Sequence, residues 1–213
     1  MKANIVQEGE GWMRERSGCF TSSRADDLMA RTKSGPSASR ANLITTLAVE
    51  RILGECVPTY QNAAMQRGIE LEAEARDAYS FERGVAVMEC GFIRCDKLPH
   101  CGASPDGMIG GDGLLEVKCP ASMQKHLDAI RTGAHAVEYR WQLQHQLLVT
   151  GRQWVDAVSF DPRWPGALQL AITRVQRDEK AIEELRAAII AADPEVETIV
   201  AELRERMGER MAA

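Results

Sequence analysis

One stretch constrains this chain more than any other: Ser104-Pro105-Asp106-Gly107, a glycine-rich spacer, then Leu115-Glu116-Val117-Lys118. The pattern predicts two short strands, with Asp106 opening the first and Glu116 and Lys118 on the second. Gly110, Gly111 and Gly113 lie between them, where positive φ angles cost little. Side chains alternate along a strand, so Glu116 and Lys118 share one face, and Leu115, Val117 and Cys119 share the other. With a three-residue turn over Gly110 to Asp112, the register sets Asp106 opposite Glu116. Two carboxylates and an ammonium then converge beside an apolar surface. Such a cluster suits a hard divalent cation such as Mg²⁺, which takes oxygen ligands and retains several waters. A surface hairpin with scattered charges is the plainer reading, and a Glu-x-Lys triplet alone would favour it. The longer pattern, which runs on into Cys119-Pro120, favours a functional cluster.

The rest of the chain supplies a setting for that hairpin. At 213 residues it has room for one substantial core, so residues 1–213 read as a single domain. Hydrophobic residues at 45% and charged residues at 27% fit a soluble globular protein. No apolar run approaches the ~20 residues of a membrane span. The first ten residues lack the apolar core of a secretory signal, so the expected location is the cytoplasm. A net charge of −5 argues against nonspecific coating of DNA, although carboxylates awaiting cations count as negative. Basic residues cluster locally at Arg24, Arg31, Lys33 and Arg40, and such patches matter more than the total. The six cysteines form no Cys-x-x-Cys pair, and the four histidines supply no matching zinc spacing. They read as reduced thiols in or beside strands.

Along the chain, Thr21-Ser22-Ser23 reads as an N-cap run before a helix from Arg24 to Arg31. A loop around Gly35-Pro36 leads to a helix from about Arg40 to Gly54. Asn62 is the expected cap of a long helix to about Arg83. Glu70, Glu72, Glu74 and Glu82 fall on that helix, and composition alone does not separate them. Val85 to Cys95 reads as a strand, or a bent pair around Gly91. Ser122 caps a helix to Arg131, and another runs from about Val137 to Thr150. Trp154 to Phe160 and Leu168 to Val175 read as strands. A charged helical tail begins near Asp178 and is interrupted near Asp193-Pro194. This order predicts an α/β fold, a central mixed sheet flanked by helices.

Four blocks, in order, carry a resemblance to the lambda exonuclease family of YqaJ-type viral recombinases, in the PD-(D/E)XK nuclease superfamily. They are Trp12 through Arg16 to Thr21-Ser22-Ser23; Gly68 to Arg76; Ser104-Pro105-Asp106-Gly107 with Leu115 to Pro120; and Trp141-Gln142-Leu143-Gln144. The resemblance implies that Asp106, Glu116 and the Val117 carbonyl ligate Mg²⁺, two ions per site, with Mn²⁺ able to substitute. It singles out Glu72 as a further acid approaching the site, and Gln142 as an active-site glutamine. Lys118 is implied to orient or deprotonate the attacking water. Related nucleases often carry a tyrosine four residues after the glutamine, where this chain has Gln146. The iron-sulfur members carry cysteines after the catalytic core, and here none follows Cys119. Arg16, Ser23 and Ser104 read locally as a surface cation, a helix cap and a turn residue. The resemblance instead makes them a pocket for a terminal 5′-phosphate.

The implied activity is Mg²⁺-dependent 5′→3′ degradation of double-stranded DNA from its ends, leaving 3′ single strands for phage-type recombination. The resemblance also implies a single-strand annealing partner, a homotrimeric ring and a phage or prophage setting. A second reading is another nuclease of the superfamily, endonucleolytic or specific for single strands. A third is a catalytically silent DNA-end-binding subunit, against which the intact Asp106, Glu116 and Lys118 argue.

Overall fold

A computed structural model describes residues 9–33, 35–58 and 63–212. The chain opens with α1 (Glu10–Arg16) and β1 (Phe20–Thr21), then a 3-10 turn at Ser22–Arg24 and the short α2 (Ala25–Met29). A small hairpin of β2 (Arg31–Thr32) and β3 (Gly35–Pro36) precedes α3 (Ala38–Leu53) and α4 (Ala63–Arg83). Next come β4 (Val87–Met88), β5 (Ile93–Arg94), β6 (Cys101–Ala103), β7 (Gly107–Ile109) and β8 (Gly113–Lys118). Three helices follow, α5 (Met123–Thr132), α6 (Ala134–Glu138) and α7 (Arg140–Thr150), then β9 (Trp154–Phe160), β10 (Leu170–Gln176) and α8 (Glu179–Ala212).

The central sheet runs β10-β9-β8-β7-β4 and is mixed. Strands β8 and β9 are parallel, while the other neighbours are antiparallel. Parallel neighbours need a crossover, which α5 to α7 provide. A second sheet runs β1-β6-β5. Strand β8 is covered on both faces. On one face Leu114 joins Leu43 and Leu47 of α3, Leu143 and Leu147 of α7, and Leu185 of α8. On the other, Leu115, Val117 and Cys119 pack with Ala75 and Tyr79 of α4. A strand buried on both faces should read as nearly continuous apolar sequence. Glu116 and Lys118 break that rule.

Several local expectations hold. Ser122 caps α5 by accepting from the Lys125 amide. Ile109 pairs with Gly113, leaving the three-residue turn Gly110 to Asp112. Gly110 has φ 52°, where a side chain would be strained. Gly113 has another reason to be glycine: a Cβ there would lie 2.2 Å from the Trp154 ring. The cap expected at Asn62 lies outside the described residues.

Other expectations are corrected. The helix expected over Arg24 to Arg31 is a 3-10 turn and five residues of α2. Ser22 is buried there and bonded to His145 Nδ1 at 2.9 Å, which draws the turn inward. Val85 to Cys95 is not one strand but two, either side of Gly91 as the bent-pair alternative has it, and they belong to different sheets. The helix expected from Val137 to Thr150 is broken at Tyr139, separating α6 from α7. The tail is not interrupted, since α8 continues through Pro194. Proline forfeits one backbone bond, but Ala192 and Val196 are fully buried on either side of it. Arg51 also binds both Asp193 and Glu197, each at 2.7 Å.

The segment from α1 to α2 is tied to α3 by one buried charge. Glu50 accepts from Arg24 at 2.6 and 2.9 Å, from the Gly18 amide at 2.9 Å and from the Val57 amide at 3.2 Å. Burial alone would raise its carboxyl pKa, but Arg24 and the two amides outweigh it and hold the pKa below the ordinary value. That stability is therefore present above the unfolded carboxylate pKa and lost as pH falls through the folded one. Glu50→Ala leaves Arg24 without its partner and should cost about 3–5 kcal/mol in urea unfolding at neutral pH. A loss under about 1 kcal/mol would show that this pair does not hold the segment.

Candidate active site

The β7–β8 hairpin builds the centre. Its register, extended by one residue, sets Asp106 opposite Glu116. Asp106 Oδ2 accepts from the Val117 amide at 2.7 Å, which holds the carboxylate over the second strand. Glu116 is almost wholly buried, with a side chain 4% exposed. Its Oε1 accepts from Lys118 Nζ at 2.6 Å and from the Gln142 amide. Its Oε2 accepts from the Gln146 amide. Lys118 also faces the Tyr139 ring, 4.8 Å from its centroid. Glu72, on α4, reaches the same cleft and pairs with Arg76 one turn on.

Charge in this cluster is unevenly compensated. Burial, then Glu116 and Glu72, push the Asp106 carboxyl well above the usual carboxylate range, against Lys118 and the Val117 amide. Burial likewise raises Glu72, with Arg76 opposing and Glu116 adding to the rise. Burial works against the Lys118 ammonium, but Glu116 and Asp106 overcome it and hold its pKa above the ordinary lysine value. Lys118 is therefore a firm cation here. Among the described residues no three His, Cys, Asp or Glu side chains form a closed metal-binding group. The donor set nevertheless fits a hard cation: two carboxylates under mutual repulsion and a third acid beside them, while the one thiol lining the cleft, Cys119, is held protonated by burial.

Two clefts meet at Asp106 and Glu116. The larger, about 600 Å³, runs along α4 past Gly68, Ile69 and Glu72 to Lys118 and Tyr139. The smaller, about 180 Å³, is walled by Trp12, Arg16, Ser23 and Ser104, with Gln142 at its base. Arg16 stacks on the Trp12 ring at 4.0 Å, and Trp12 Nε1 donates to Ser104 Oγ at 3.1 Å. Ser23 Oγ lies 3.3 Å from Thr21 Oγ1. Among the described residues no carboxylate salt-bridges Arg16. Burial is the main cause lowering its pKa, yet a guanidinium stays charged at any physiological pH.

The structure thus gathers Glu72, Asp106, Glu116, Val117, Lys118 and Gln142 around one point, with Arg16, Ser23 and Ser104 on the adjoining wall. Sequence reasoning assigned no role to Trp12, Tyr139 or Gln146. Gln146 was within reach, because residues four apart share a helix face and Gln142 precedes it by four. Trp12 and Tyr139 meet the site through tertiary contacts that carry no local signature.

The YqaJ-like viral recombinase domain matches residues 11–153. The chain is 40% identical to an alkaline exonuclease, LHK-Exo, from Laribacter hongkongensis, covering 93% of this chain and 98% of that one with a TM-score of 0.84. The same values hold for LHK-Exo in complex with dAMP. The phage related exonuclease from Haemophilus somnus 129PT shares the fold at TM-score 0.72 and 15% identity, over 87% of this chain and 96% of that one. No curated protein matches the chain.

The repulsion on Asp106 has a measurable consequence. A raised carboxyl pKa means that the folded state is penalised as pH rises through the unfolded carboxylate value towards the folded one. Asp106→Asn should therefore stabilise the cation-free protein by about 1 kcal/mol at pH 8, and by nothing at pH 3. Urea unfolding in EDTA at both pH values reads this directly. Equal stability at pH 8 would show that Asp106 bears no repulsive load.

Proposed function

The chain belongs to the YqaJ-like viral recombinase family of nucleases, and on that premise we propose that it is a Mg²⁺-dependent 5′→3′ exonuclease acting on double-stranded DNA ends. One observation supports this reading above others: Arg16, which salt-bridges no carboxylate among the described residues, sits in a small cleft that adjoins the paired carboxylates. A cleft of about 180 Å³ suits a terminal phosphate, whereas the 600 Å³ cleft on the other side suits the continuing chain. An endonuclease has no need of the smaller one. The third reading, a silent end-binding subunit, does not account for acids held together at a cost in repulsion.

In this reading Asp106, Glu116 and the Val117 carbonyl hold the cation, with Glu72 alongside. Bound there, Mg²⁺ would supply water activation and charge neutralisation at the phosphate and leaving oxygen. Arg16 offers a planar fork to the terminal phosphate, and Ser23 and Ser104 add hydroxyl donors. Stacking on Trp12 keeps the guanidinium plane fixed before the phosphate arrives. Lys118 orients the attacking water and offsets charge on the phosphate. Its ammonium is stabilised by Glu116 and Asp106, which favours this role over removal of the water's proton. Gln142 fixes one oxygen of Glu116. The family carries the further expectations of two cations per site, Mn²⁺ as a substitute, and a homotrimer. It also carries that of 3′ single strands passed to a single-strand annealing protein in the cytoplasm of a phage-bearing bacterium.

Two experiments test this. Linear duplex labelled separately at each end, with a circular control, should lose label from 5′ ends in Mg²⁺, and faster with a 5′-phosphate than a 5′-hydroxyl. Arg16→Ala should remove most of that preference. Loss from 3′ ends first, or nicking of the circle, would overturn the assignment. Separately, Lys118→Ala should still bind DNA ends yet turn over on the order of 10²-fold more slowly in single-turnover assays. Near-normal turnover would reduce Lys118 to a surface cation of the strand.

A further inference from the structure

Gln146 occupies the most enclosed position around the catalytic cluster. It is fully buried on α7, one turn beyond Gln142, among Leu143, Leu147 and the rest of the apolar face. Its Nε2 donates to Glu116 Oε2, the oxygen that neither Lys118 nor Gln142 reaches. Its own Oε1 is buried and has no partner among the described residues. A buried amide oxygen without a donor is a cost to folding that an apolar side chain of similar length would avoid. The surrounding core therefore gives no reason for an amide at this position, and Glu116 gives one.

The amide also has only one usable orientation. Turned over, it would place Oε1 against Glu116 Oε2, setting an acceptor against an ionised acceptor. With Lys118 and Gln142 on one oxygen and Gln146 on the other, the Glu116 carboxylate is held from both sides and cannot rotate about its last bond. Its remaining lone pairs then point in a fixed direction beside Asp106. Residues that orient ligands from behind govern metal affinity in this way.

We propose that Gln146 is a positioning residue that locks Glu116 for divalent-cation binding, taking over a place where related nucleases often carry a tyrosine. The inference rests on the nuclease reading above, and its test is a direct measurement of cation binding. Gln146→Met keeps the length and removes both the donor and the orphan oxygen. Calorimetric titration of the full chain with Mn²⁺ should give a Kd on the order of 10-fold to 100-fold weaker than wild type. The melting temperature without cation should fall only modestly, because Glu116 Oε2 loses its donor while the orphan oxygen is removed, and DNA-end affinity in EDTA should be unchanged. Cleavage should recover in part as Mg²⁺ is raised. Wild-type Mn²⁺ affinity in a folded Gln146→Met protein would overturn the proposal. Should that variant fail to fold, Gln146→Leu takes its place. Failure of both would also overturn it, by making the amide a requirement of the fold. A wild-type protein that binds no Mn²⁺ would defeat the cation reading itself, an outcome distinct from equal binding by wild type and variant.

Discussion

The architecture of this site follows from one unfavourable fact: a carboxylate has been placed in the middle of a strand covered on both faces. Glu116 sits between Leu115 and Val117, which belong to the core against α4. Taking such a charge out of water is costly unless donors replace the lost hydration. Three side chains do so, Lys118 from the same strand and Gln142 and Gln146 from α7. The break at Tyr139 matters for the same reason. It starts a new helix whose Gln142 and Gln146 reach Glu116 of β8, and it leaves the Tyr139 ring beside the Lys118 ammonium.

A second buried carboxylate does comparable work beside the smaller cleft. Glu50 gathers the Gly18 amide, the Arg24 guanidinium and the Val57 amide onto α3. Those contacts enclose Ser23, between Gly18 and Arg24, and anchor the chain two residues after Arg16. α3 is in turn bound to α8 through Arg51 with Asp193 and Glu197, and through Arg40 with Glu195 at 2.7 Å. The C-terminal helix thus reaches the wall of the smaller cleft through two successive sets of ion pairs. Continuity of α8 through Pro194 serves this arrangement, because an interrupted helix would not present all three acids to α3.

Much of this was legible in the sequence where the controlling forces are local. The hairpin register follows from glycine placement and strand alternation, and the start of α5 from Ser122. The mixed sheet follows from the order of elements. Four ordered blocks of resemblance pointed to positions as far apart as Arg16 and Gln142, which the structure brings together. What was left without a role depends on distant partners. Gln146 meets Glu116 across 30 positions and Trp12 meets Ser104 across 92. Tyr139 interrupts a helix that its local sequence would continue. Pro194 erred in the opposite direction: its local signal is disruptive, and tertiary contacts override it.

The distribution of unsatisfied polarity separates structural charge from chemical charge in this molecule. Away from the site, buried acids are fully answered. Asp156 receives the Tyr79 hydroxyl at 2.7 Å and two bonds from Arg174 at 2.7 and 2.8 Å. Asp161 receives Arg67 and Arg163. Near the hairpin the accounts do not close: Asp106 is pushed towards its protonated form, Glu72 likewise, and Gln146 Oε1 has no donor. A second orphan atom, His135 Nδ1, belongs to a residue lining a side cleft shared with Lys118 and Tyr139. The third, Trp164 Nε1, is the exception, since its ring packs on His126 at 5.7 Å, outside the acidic cluster. A chain that satisfies its other buried acids so completely has the means to do the same at Asp106. That it leaves these groups strained together is the physical mark of a site whose partners arrive from outside the polypeptide.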